Sequence, residues 1–121
     1  MAPQAAVLDP VAWEGLQEMS RRGYFSLPDF VATFRSEALQ SLAGLRQGIG
    51  EADPQTLERQ AHALKGSSRE LGAGRLAEIC RQLEELGRAG SLSGAAELLA
   101  GAEAKFALLD QALGEQLSTP I

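Results

Sequence analysis

Apolar residues recur every three or four positions along most of this chain, the period of helices that each bury one face. β-branched residues are rare, and Ala, Leu, Glu, Gln and Arg dominate, which is helix-forming stock. Glycine and proline divide the pattern into five segments. The first covers about residues 9–21, with Asp9 as N-cap and Pro10 at the first helical position, and Arg22-Gly23 ends it. The second, 27–47, aligns Leu27, Phe30, Val31, Phe34, Ala38, Leu42, Leu45 and Ile49 on one side and closes at Gly48 and Gly50. The third, 54–71, opens at Asp53-Pro54, turns Leu57, Ala61, Leu64, Ser68 and Leu71 inward, and stops at Gly72. The fourth, 74–89, faces inward with Leu76, Ile79, Cys80, Leu83 and Leu86; the fifth, 92–117, follows the cap Ser91 with Ala95, Leu99, Ala102, Phe106, Leu109 and Leu113. The tail from Ser118 to Ile121 is expected to fray.

Short loops between long amphipathic helices imply antiparallel neighbours. The expected fold is therefore all-α: an antiparallel up-down four-helix bundle, with the short N-terminal helix capping one end. At 121 residues the chain holds about one domain, expected to span 1–121.

Charge narrows the function. Eleven Lys+Arg against sixteen Asp+Glu leave −5, a poor balance for gripping a phosphate backbone, so nucleic acid is not an expected partner. One cysteine, Cys80, and one histidine, His62, can supply neither an internal disulfide nor the usual multi-ligand metal site. No metal and no cofactor is expected. No apolar run approaches the ~20 residues that span a bilayer, and the N-terminus lacks the basic segment of a signal peptide. A lone thiol without an export signal points to the cytoplasm, and Met1 followed by a complete first helix points to a free-standing protein.

The chemistry concentrates in the third segment, in His62-Ala-Leu-Lys65-Gly66-Ser67-Ser68-Arg69-Glu70-Leu71-Gly72. At roughly 100° per residue, His62 lies about 140° from the centre of its helix's apolar stripe, so the imidazole faces outward. Lys65, Gly66 and Arg69 follow three, four and seven positions later on the same outward face. Gly66 costs about 1 kcal/mol relative to alanine in a helix interior, a cost that an uncrowded surface beside the ring would explain. Lys65 and Arg69 bring positive charge, which favours a neutral, nucleophilic ring and would stabilise a phosphoryl group on it. Glu58, one turn before His62, pulls the other way and is a candidate to orient a ring N–H; the net direction stays open. Arg59 on the same turn completes the set of supporting candidates.

His62-Ala-Leu-Lys65-Gly66-Ser67-Ser68, then Leu71-Gly72-Ala73, Leu76-Ala77, Cys80, Leu83-Glu84 and Leu86-Gly87-Arg88, resembles the histidine-containing phosphotransfer (HPt) family of two-component phosphorelays. The likeness runs from about Leu8 to Leu113. It implies a monomeric bundle whose exposed His62 takes a phosphoryl group through Nε2 from the aspartate of one receiver domain and passes it to another. Response-regulator receivers, with a hybrid sensor kinase as a further candidate, are the implied partners; the catalytic aspartate and Mg²⁺ belong to the receiver. By position, Lys65 is the phosphate-facing cation and Gly66 the clearance for the docking receiver. Arg69 and Glu70 depart from the family pattern, and Arg69 is expected to select the receiver or meet its acidic rim.

Other readings stand beside this one. The chain has no P-loop or other nucleotide-binding segment, so any phosphoryl group on His62 must come from another protein. That donor can be a receiver or a kinase ATPase domain. The alternative from a different class is a helical adaptor that binds a signalling protein without taking phosphate. Cys80 reads as a small buried hydrophobe. Trp13 projects away from the Leu8/Ala12/Leu16/Met19 side of the first helix, as half-buried lid packing or a partner contact. Glu78, Glu84, Glu85, Glu97 and Glu103 read as a solvated face.

Overall fold

A computed structural model describes residues 7–118, within which there are five helices and no strand. Met1–Ala6 and the tail past Ser118 lie outside the described residues, while Ser118, expected to fray, is the last residue of the fifth helix. The helices are α1 (Pro10–Arg21), α2 (Leu27–Gly50), α3 (Pro54–Leu71), α4 (Gly74–Arg88) and α5 (Ala95–Ser118).

Local chemistry sets most of the boundaries. The Asp9, Ser26 and Asp53 side chains accept from the backbone N–H of Val11, Asp29 and Thr56, and a proline stands in the first turn of each of these helices. Thr56 Oγ1 also donates to Asp53 Oδ2 at 2.7 Å, which ties down the start of α3. Gly72, at φ 89°, ends that helix in a Schellman pair: Ala73 N–H to Ser68 O at 2.8 Å and Gly72 N–H to Arg69 O at 3.1 Å. Only Gly72 and Ala73 separate α3 from α4, so the two helices fold back on each other.

Two boundaries differ from the sequence expectation by more than one residue. Helix α2 runs on to Gly50 because Gly48 is not a stop: a Cβ there would sit 3.2 Å from Leu57 N and from Thr56 Cγ2, so the glycine lets the start of α3 approach. Helix α5 begins at Ala95, not residue 92. Ser91 Oγ accepts from Ser93 N–H two residues on, a local turn that competes with helix initiation, and Gly94 at φ 80° follows it.

The core joins Leu45, Leu57, Leu64, Leu71, Leu76, Leu83, Leu109 and Leu113, each fully buried, with Phe34 against Phe106 between α2 and α5. Helix α3 packs against α2 and α4, and α5 against α4 and α2. Arg35–Asp110 and Arg46–Glu103 ion pairs join α2 to α5 along the outer seam. Helix α1 touches α2 and α3, anchored by Asp9 N–H on Gly72 O at 2.8 Å. Its inward residue is Trp13, only 4 % exposed, whose indole Nε1 donates to Gln116 Oε1 at 3.1 Å. This corrects the expected half-buried lid. Met19 is exposed instead, because α1 turns its Trp13 face inward.

Candidate functional site

His62 sits midway along α3 with its side chain 69 % exposed, as the helical period predicts. Its Nδ1 lies 2.7 Å from Glu84 Oε2 on α4. Glu84 is 4 % exposed, so it does not belong to the solvated acidic face where the sequence placed it. That expectation fails because α4 turns residues 77, 80, 84 and 87 toward α3, and Glu84 is the carboxylate in a row of small buried partners, Ala77, Cys80 and Gly87. Gly87 makes the approach possible. A Cβ there would come within 2.6 Å of both Glu58 N and Pro54 O, so the α3 and α4 backbones pack almost directly.

Three donors converge on the buried carboxylate. Lys65 Nζ meets Oε1 at 2.6 Å, and Arg88 Nη2 meets Oε2, the same oxygen that holds His62, at 3.1 Å. Burial alone would push the Glu84 carboxyl up, but hydrogen bonds from Lys65 and His62 and the charge of Lys65 outweigh it and hold the group below its ordinary value. Glu84 is therefore ionised near neutral pH. An ionised acceptor at Nδ1 draws the ring proton to that nitrogen, which leaves the lone pair of a neutral ring on Nε2.

The supporting residues divide. Lys65, expected to face the phosphate, has its side chain only 16 % exposed and paired with Glu84. Glu58 does not orient the ring; its carboxylate takes Arg88 Nε at 3.3 Å, and Glu84 fills the orienting place from across the helix pair, next to Nδ1. Arg59 is exposed and donates to Thr56 Oγ1 at 3.3 Å. Arg69 is exposed on α3 and contributes charge toward Glu78 of α4. Gly66 is exposed, and a Cβ built on it meets nothing within 4 Å. Nothing inside the molecule requires a glycine there.

Sequence reasoning missed Glu84, Arg88 and Gly87. The signal for the first was the spacing Ala77, Cys80, Glu84, Gly87, one acidic residue in a three/four-spaced row of small ones. Cys80 is buried as expected, its thiol pushed up to about 12 mainly by burial and further by the charge of Glu84. Among the described residues no three His, Cys, Asp or Glu side chains gather in a metal-binding cluster, and no helix is long and apolar enough to cross a membrane.

No curated protein matches the chain in sequence. A solved structure, histidine-containing phosphotransfer protein B (HptB) from Pseudomonas aeruginosa PAO1, superposes with a TM-score of 0.84 at 32% identity, covering 96% of each chain. Residues 29–118 match the Hpt domain family. With a matching fold and most of its length inside the family match, the chain belongs to the Hpt family and is a histidine phosphotransfer protein of two-component phosphorelays.

Proposed function

We propose that His62 is the phosphoacceptor and that the phosphoryl group is carried on Nε2. The observation that carries this reading is the exposed ring held through Nδ1 by a buried carboxylate, which aims a lone pair at solvent. In the forward step the Nε2 lone pair attacks phosphorus of a partner's aspartyl phosphate. The P–N bond forms as the P–O bond breaks, and the aspartate carboxylate leaves with the electron pair. The positive charge that develops on the ring is balanced by Glu84, which accepts the Nδ1 proton's hydrogen bond throughout. Transfer onward reverses the sequence, and His62 leaves as a neutral imidazole that still carries its Nδ1 proton.

This chain contributes a nucleophile on a rigid helix pair, so positioning dominates its part in the reaction. The carboxylate acceptor and Mg²⁺ are assigned to partner receiver domains. Gly66 is the clearance through which a receiver reaches Nε2, and Lys65 and Arg88 hold Glu84 charged and in place. The helix contacts and the Arg35–Asp110 and Arg46–Glu103 pairs support an antiparallel up-down four-helix bundle of α2–α5 capped by α1, with the whole chain as one HPt domain. A monomer and a cytoplasmic setting complete the reading.

The test is incubation with receiver domains phosphorylated on aspartate. Acid-labile, base-stable label on the wild type and none on His62→Gln supports the relay. Label that appears only with a kinase and ATP points to a kinase substrate, and no label under either condition leaves a helical adaptor.

A further inference from the structure

The cations around His62 fall into two groups that the sequence does not separate. Lys65 and Arg88 are spent on the buried Glu84. Arg59 and Arg69 stand on the solvent-facing stripe of α3, three positions before and seven after His62, or about 4.5 Å and about 10.5 Å along the helix axis. Among the described residues neither forms a close ion pair, although the charge of Arg59 is felt by Asp53. Arg59 donates to the uncharged Thr56 hydroxyl, and Glu78, the carboxylate that feels Arg69, gives both its oxygens to Arg81. The flat, side-chain-free position of Gly66 lies between Arg69 and His62.

The wider charge distribution agrees. Residues 54–88 hold six of the eleven basic side chains but only five of the sixteen acidic ones, so the helix pair that carries His62 is slightly positive on an otherwise acidic protein. A partner that donates or accepts the phosphoryl group on an aspartate, with Mg²⁺ held by carboxylates, brings several negative groups around its reacting atom. Such a face would be repelled by most of this surface and attracted here.

We infer that Arg59 and Arg69 bracket the path to His62 and engage the acidic rim of the incoming receiver, fixing its approach over Gly66. Guanidinium groups held by no close carboxylate can turn to a partner's carboxylates without breaking an ion pair, Arg59 giving up at most its hydrogen bond to Thr56, and their planar fork favours two-point contact. Lys65 and Arg88, by contrast, act inward on Glu84. The inference rests on the phosphotransfer reading above.

The experiment measures phosphoryl transfer in both directions between the full chain and purified receiver domains encoded in the same genome, at about 20–300 mM salt, chosen to span about a fourfold change in screening length. Arg59→Ala and Arg69→Ala are each expected to lower the second-order rate constant about fivefold at low salt, and the double variant roughly twentyfold. The loss is expected in receiver affinity, with a shallower salt dependence, and lysine at both positions restores most of the rate. Small-molecule phosphoramidate, which needs no docking, is used on the wild type and His62→Gln to read the histidine itself. If the double alanine variant stays within twofold of wild type, or its loss is confined to the first-order rate at saturating receiver and ignores salt, the docking role is overturned. If neither donor labels the wild type, the phosphotransfer reading itself fails, a result distinct from the first.

Discussion

Gly66→Ala separates folding from function more cleanly than any other single change. The added methyl would enter open space, since a Cβ at this position has no neighbour within 4 Å, so the substitution carries no packing penalty. Glycine in a helix interior is about 0.8–1.0 kcal/mol worse than alanine, and residue 66 lies well inside α3. The isolated protein should therefore gain about 0.8–1 kcal/mol in urea unfolding, with a midpoint in thermal unfolding higher by about 3–6 °C for a chain of this size. The phosphotransfer reading makes the opposite forecast for activity. The methyl would stand one turn from His62 on the face a receiver must reach, and a displacement of about 1 Å can cost on the order of a hundredfold in a step governed by positioning. Transfer from a phosphorylated receiver should fall by about 10- to 100-fold, and further with Gly66→Gln. Urea and thermal unfolding give the first quantity and quenched single-turnover transfer the second. A destabilised variant would show that the fold needs this glycine; a stabilised variant with undiminished transfer would refute the clearance argument.

Gly87→Ala should behave in the opposite sense. Its methyl would press on Glu58 N and Pro54 O at 2.6 Å, both backbone atoms, and the overpacking should cost about 1–3 kcal/mol in urea unfolding despite the better helix propensity. Ser68→Ala should stabilise by about 1 kcal/mol, because the Ser68 hydroxyl is fully buried on α3 without a hydrogen-bond partner; a less stable variant would mean that the hydroxyl finds one. Glu84 makes stability depend on acid. Its folded-state carboxyl lies below the ordinary value of 4.5, so the stabilisation is fully present above about pH 4.5 and is lost as pH falls through the folded value. Urea unfolding of wild type and Glu84→Gln across pH 3–6 should show the two curves converging toward low pH, and parallel curves would remove this assignment.

The helices and the outward face of α3 were legible because they depend on local relations. A cap side chain reaches two or three residues along its own chain, as Asp53 reaches Thr56, and a 3.6-residue period fixes which way His62 and Gly66 point whatever lies beside them. Where a local rule had competition the boundary moved, as at Ser91, whose hydroxyl makes a turn with Ser93.

The sequence thus determined five amphipathic segments, a buried Cys80 and one outward imidazole beside a glycine. Tertiary structure decided which charges serve that imidazole. Glu84 and Arg88 are four residues apart on α4 and meet through the helical period, but Lys65 and His62 reach Glu84 only because Gly87 lets α4 lie against α3 at one particular depth and register, and no period within either helix encodes the offset between them. The same crossing turned Glu84 from an apparent surface acid into the buried group that fixes the ring. It also tied Lys65 to that group and left Arg59 and Arg69 outside it, since a charge finds its partner through space and not along the chain.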